Sequence, residues 1–133
     1  MKRIKQRVFF KAKPHEIYEM LMDEKKHSEF TGDKAKISKK VGGKFSAYGK
    51  YIEGENLELK KDKIIVQKWR STDFPKGHYS TVTFEINKNK EGTELIFTQE
   101  EVTDEEYEGL KDGWKKFYWE PMKELLEEDK NER

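Results

Sequence analysis

The stretch that decides the fold is Val102-Thr103-Asp104-Glu105-Glu106-Tyr107-Glu108-Gly109-Leu110-Lys111-Asp112-Gly113-Trp114-Lys115-Lys116-Phe117-Tyr118-Trp119-Glu120-Pro121-Met122-Lys123-Glu124-Leu125-Leu126. Tyr107, Leu110, Trp114, Phe117, Tyr118, Met122, Leu125 and Leu126 recur at spacings of three and four, which draws one apolar stripe along a helix. Thr103 stands where an N-cap belongs and Glu106 where a capping box closes, with Val102 and Tyr107 flanking them as a hydrophobic staple. Asp112–Lys116 and Lys123–Glu127 have the spacing of ion pairs on the polar side. Pro121 lacks an N–H and predicts a kink in the last third of the helix. Trp119 falls off the main stripe and, exposed, would suit a dimer contact. The tail after about residue 128 has no apolar side chain and is expected to fray.

An amphipathic helix must lie on something, and the preceding chain supplies a sheet. Ile4, Gln6, Val8 and Phe10 alternate and predict a first strand. Pro14 then suits the first turn of a helix carrying Ile17, Tyr18, Leu21 and Met22, and a second short helix covers Glu24 to Phe30, ended by Thr31-Gly32. Six strands follow, over Ala35–Ser38, Lys44–Lys50, Tyr51–Lys60, Ile64–Arg70, Tyr79–Asn87 and Glu94–Val102. Turn chemistry separates them at Gly42-Gly43, Lys61-Asp62-Lys63, Phe74-Pro75-Lys76-Gly77 and Asn89-Lys90-Glu91-Gly92. Short connections make neighbours pair as an antiparallel meander. The resulting expectation is an α+β fold over residues 1–133 as one domain, with a curved antiparallel sheet wrapped around the long C-terminal helix and two short helices after the first strand.

Strand parity assigns the face that grips the helix. It holds Ile65, Gln67 and Trp69; Ser80, Val82, Phe84 and Ile86; Leu95, Phe97, Gln99 and Glu101; Phe45 and Ala47; and Leu57 and Leu59. Trp114, Phe117 and Tyr118 descend onto it from the helix. Two readings fit this set. The aromatics fill a small core, each burying about 150–250 Å². Alternatively, Gln67 and Gln99 are orienting groups in an apolar pocket for a small ligand, with Phe45, Gln67, Trp69, Phe84, Phe97, Gln99, Trp114 and Tyr118 as its binding residues.

Composition bounds the function. Only 33% of the 133 residues are hydrophobic and 41% are charged, a balance that leans toward disorder, but 13% are aromatic and the apolar positions are periodic. The 28 Lys and Arg nearly cancel the 27 Asp and Glu, interleaved along the chain, so no basic stripe for nucleic acid is expected. The local excess from Lys34 to Lys44 reads as a solvated hairpin. With no cysteine, disulfides and thiolate chemistry are excluded. No segment approaches the ~20 apolar residues of a membrane helix, and a cytoplasmic location is expected.

Tests for chemistry return little. His15, His27 and His78 lack metal-ligand spacing. His15 belongs on the surface of a first helical turn, His27 on a short polar helix, and His78, after Gly77, near the pocket mouth. Glu53 and Glu55 share parity with Leu57 and Leu59 unless Gly54 marks a bulge. There is no nucleophile elbow, and Gly42-Gly43 lacks the Lys-Ser/Thr of a phosphate loop. No catalytic residue, metal or cofactor is assigned; an enzyme would have to use Glu101 and His78.

Five segments in register resemble a known family. They are Lys26-His27-Ser28-Glu29-Phe30-Thr31-Gly32, Lys40-Val41-Gly42-Gly43-Lys44-Phe45, Ile65-Val66-Gln67-Lys68-Trp69-Arg70-Ser71, Gly77-His78-Tyr79-Ser80, and Gly113-Trp114-Lys115 through Tyr118-Trp119-Glu120-Pro121. Together they resemble the C-terminal domain of activators of the ninety-kilodalton heat-shock protein ATPase, within the START-like, polyketide-cyclase-like helix-grip superfamily. The resemblance implies a helix-grip fold with a cavity between sheet and helix, and a heat-shock chaperone as a partner. No counterpart of the separate N-terminal domain of those activators is expected within these 133 residues. The leading expectation is a non-enzymatic module binding a small apolar ligand. A co-chaperone-like interaction domain comes second, and a cyclase- or hydrolase-type enzyme third.

Overall fold

Alternating side chains build seven strands that pair, all antiparallel, in the order β1-β7-β6-β5-β4-β3-β2. The computed structural model describes residues 1–131. The strands are β1 (Lys2–Phe10), β2 (Lys36–Ile37), β3 (Lys44–Ala47), β4 (Ile52–Lys60), β5 (Ile64–Ser71), β6 (Ser80–Asn89) and β7 (Gly92–Val102). Helices α1 (Pro14–Met22) and α2 (Glu24–Thr31) connect β1 to β2, and Gly32, at φ 71°, ends α2 in the left-handed conformation that glycine tolerates. The chain finishes in α3 (Asp104–Trp114), a π-helical turn over Lys115–Trp119, and α4 (Glu120–Asn131). This is the α+β helix-grip arrangement. The tail expected to fray lies at the end of α4 and past it, where Glu132 and Arg133 fall outside the described residues.

The gripping face follows parity on β5, β6 and most of β7: Ile65, Trp69, Val82, Phe84, Ile86, Leu95 and Phe97 are all buried. Strand β4 departs from it. Its pairing with β5 slips between Asn56 and Glu58, so Leu57 is an extra residue and sits 44% exposed. Ile52 and Asn56 are buried instead, and Gly54 lies under the Phe45 ring on the same face. Glu53 and Glu55 therefore leave the core. Glu101, expected inward, is exposed with φ 59°, where β7 turns away before α3.

The C-terminal helix is also out of its expected register. A π turn adds a residue to one helical revolution, and the side chains after it rotate relative to an α-helix. Trp119 consequently points inward, 3% exposed, while Phe117, expected to descend into the core, is 49% exposed. No exposed Trp119 is left to support a dimer. The disturbance has a local cause in Pro121, which cannot donate to the Phe117 carbonyl four residues back. Tyr48 supplies that donor, its hydroxyl lying 2.7 Å from the Phe117 oxygen. The capping box at α3 does not form: the Thr103 hydroxyl is buried without a partner, and only its carbonyl meets the Glu106 N–H, at 3.1 Å. Neither Asp112–Lys116 nor Lys123–Glu127 is among the ion pairs of the described residues.

Candidate functional site

Aromatic rings meet in series between sheet and helix. Trp114 lies 4.4 Å from Phe97, 4.6 Å from Tyr118 and 5.6 Å from Trp69, centroid to centroid, and Trp119 stacks on it at 5.6 Å. Buried polar atoms within this layer are matched to one another, as buried polar groups generally must be. The Trp114 indole N–H donates to Gln99 Oε1 at 2.8 Å, Gln99 Nε2 donates to Ser80 Oγ at 2.8 Å, and Ser80 Oγ donates to the Trp69 carbonyl at 3.3 Å. Gln67 Nε2 donates to Asn56 Oδ1 at 3.0 Å, and Asn56 Nδ2 in turn donates to the Ser38 and Lys40 carbonyls at 2.6 and 3.1 Å. The Trp119 N–H donates to Gln6 Oε1 at 2.7 Å.

Six of the eight residues named from sequence surround one small void: Phe45, Gln67, Trp69, Phe84, Trp114 and Tyr118. Its volume is about 20 Å³, room for a water molecule and not for a ligand. Phe97 and Gln99 do not border it; both are fully buried behind Trp114. The aromatic and amide residues are thus engaged with one another and close the interior.

A larger space opens at the mouth of this layer, between the first half of the C-terminal helix and the β3–β4 turn. It measures about 500 Å³. Trp69, Trp114 and Tyr118 form its floor; Leu110, Gly113 and Phe117 form the helix wall, and Tyr48, Tyr51 and Ile52 the opposite one. The β3–β4 turn occupies residues 48–51, where the sequence pattern puts the end of one strand, Lys50, directly against the start of the next, Tyr51. Tyr48, at φ 51°, and Gly49, at φ 70°, take left-handed conformations there, and the Tyr51 N–H closes on the Tyr48 carbonyl at 3.2 Å. Gly49 was the available signal. The turn aims both tyrosines across the opening: Tyr48 reaches the Phe117 carbonyl, and the Tyr51 hydroxyl donates to Asp73.

Burial pushes the Tyr48 phenol up to about 12, with the charge of Asp33 adding to the effect. Burial also raises Tyr51, followed by its bond to Asp73. Tyr118 is raised far more strongly, again by burial. All three therefore stay neutral at physiological pH. His27, placed from sequence on a short polar helix, is 5% exposed and sits beside Tyr118, its Nε2 3.1 Å from the hydroxyl and its Nδ1 3.3 Å from the Leu21 carbonyl. Burial lowers its pKa to about 4. The polar flanks of α2 concealed it, although its spacing of three from Phe30 gave the same face.

The two groups named for an enzymatic reading lie apart from the groove. His78 Nε2 is 2.7 Å from the Glu101 backbone oxygen, and the Glu101 side chain faces solvent. Arg70 holds the β5–β6 connection by donating to the carbonyls of Phe74, Pro75 and His78. His15 is on the surface against Asp62 at 2.9 Å. Among the described residues no cluster of His, Asp and Glu has metal-binding geometry, and no helix is long and apolar enough to cross a membrane.

This architecture has known relatives. The human Activator of 90 kDa heat shock protein ATPase homolog 1 is 33% identical over 118 residues, covering 88% of this chain and 35% of the human protein. The chain thus spans about a third of the length of the curated relatives it matches. The crystal structure of an HSP90 activator from Plasmodium falciparum superposes with a TM-score of 0.87 at 27% identity, covering 95% of this chain and 96% of that one. A protein of the dynemicin biosynthetic locus superposes with a TM-score of 0.80 at 17% identity, covering 96% of this chain and 48% of that one; this likeness extends to the fold alone. Residues 11–127 match the family described as Activator of Hsp90 ATPase homolog 1-like protein, and the chain belongs to that family.

Proposed function

We propose that the chain is a binding module without a catalytic centre, and that it takes a small apolar ligand at the mouth between sheet and C-terminal helix. The observation that carries this reading is the aromatic groove of about 500 Å³, within the roughly 300–1,000 Å³ typical of ligand sites. The interior among Phe45, Gln67, Phe84, Phe97 and Gln99 acts as the support that holds Trp69, Trp114 and Tyr118 in place as its floor. Chemical-shift perturbation with isotope-labelled protein tests it, using a panel of small aromatic and aliphatic compounds. Shifts clustering at Tyr48, Trp69, Leu110 and Trp114 support the groove. Silence across the panel from well-folded protein overturns it.

A second reading rests on the relatives named as activators of the 90 kDa heat-shock protein ATPase. On this reading the chain docks on such a chaperone, in the cytoplasm, through its charged outer face. It predicts a salt-sensitive complex and a changed chaperone ATPase rate. An unchanged rate, with no complex on sedimentation, counts against it.

A further inference from the structure

The walls of the groove are unusual in charge as well as in shape. Three carboxylates border it, Asp33, Asp73 and Glu106, and no Lys or Arg does so among the described residues. In a chain with 28 basic and 27 acidic residues, one-sided lining of this kind departs from the mixed surface elsewhere. The hollow on the outer face of the sheet shows the contrast: Lys36, Lys44, Lys50 and Lys68 border it together with Glu53 and Glu55.

The three acids stand at separate points of the rim. Asp33 follows the end of α2, Asp73 lies in the β5–β6 connection, and Glu106 is in the first turn of α3. Their fields reach the groove, since Asp33 acts on the Tyr48 phenol and Asp73 and Glu106 on Tyr51. The phenol O–H groups of Tyr48 and Tyr51 already donate, to the Phe117 carbonyl and to Asp73, so what their oxygens offer an incoming group is acceptor capacity. The Phe117 ring of the helix wall already lies 5.5 Å from one ammonium, that of the neighbouring Lys116. Aromatic rings in the lining and carboxylates at the rim make a site complementary to positive charge carried on an apolar body.

Building on the proposed binding function, we propose that the ligand is an organic cation: an apolar ring or chain bearing an ammonium group. The apolar body lies on Trp69, Trp114 and Leu110. The ammonium remains at the rim, between the tyrosine faces and the carboxylates, where it keeps part of its hydration. A neutral ligand of the same shape gains only the apolar contacts, and an anion meets repulsion.

Three naphthalene compounds of matched size test this by titration followed by NMR: 2-naphthylmethylammonium, 2-naphthylmethanol and 2-naphthylacetate. The ammonium is expected to bind about tenfold tighter than the alcohol, and the carboxylate weaker than both. In the triple variant Asp33→Asn, Asp73→Asn, Glu106→Gln, the preference for the ammonium over the alcohol should vanish. These substitutions keep shape and hydrogen bonding at exposed or half-buried positions, so the fold is retained. Equal affinities for ammonium and alcohol, or tighter binding of the carboxylate, overturn the cation proposal and leave the apolar groove standing. Failure of all three compounds to shift any groove residue overturns both. An ammonium preference that survives in the triple variant also overturns the assignment to these carboxylates.

Discussion

At the scale of single residues, the interior is governed by a few buried polar atoms whose partners are singular. His27 shows the consequence for pH. Its folded pKa is about 4 against an ordinary value of 6.5, so the unfolded chain binds a proton between those values and the folded chain does not. The stability this confers is complete above pH 6.5 and is lost as pH falls toward 4, by an amount on the order of 3 kcal/mol. Urea unfolding at pH 7 and pH 4.5 should therefore show a steeper loss in the natural chain than in His27→Gln; equal losses would refute the assignment. Gly54 is a second such position. A methyl group there would fall on the Lys68 carbonyl oxygen and within 2.7 Å of the Phe45 ring. Gly54→Ala is expected to destabilise by about 1–3 kcal/mol through overpacking, readable as a lowered urea midpoint.

At the scale of elements, the π turn over Lys115–Trp119 links the helix to the β3–β4 turn. Pro121 removes one donor, and the Tyr48 hydroxyl replaces it on Phe117. Tyr48→Phe should cost about 1 kcal/mol and accelerate amide exchange in the π turn while leaving β6 and β7 protected. If exchange around Phe117 is unchanged, the hydroxyl does not brace the helix.

At the scale of the whole molecule, protection should follow the sheet order. Strands β5, β6 and β7 are flanked on both sides, whereas β2 is an edge of two residues, Lys36–Ile37, paired only to β3. Amides of β6 and β7 should exchange only through global unfolding, and those of β2 and β3 through local opening at lower free energy. Hydrogen exchange across a urea series separates the two classes; a single class would mean that the groove-side edge is as rigid as the centre. Lower local stability there would let the β3–β4 turn adjust to a ligand without disturbing the floor of Trp69 and Trp114.

Element order, the antiparallel meander and the inward faces of β5 and β6 were determined by the sequence alone, because periods of 2 and 3.6 are local properties of the chain. Phe45, Trp69, Trp114 and Tyr118 of the family-like segments were likewise legible as interior. Tertiary structure decided what those residues do. Whether Gln67 and Gln99 face a ligand or each other's neighbours depends on Asn56 and Ser80, which arrive from other strands, and Asn56 turns inward only because β4 bulges at Leu57. The exchange of Phe117 for Trp119 depends on a π turn braced by a tyrosine 69 positions away. The acidic rim of the groove is assembled from three separate segments. Periodicity cannot register any of these, since each is a contact between elements whose one-residue shifts leave the local pattern unchanged.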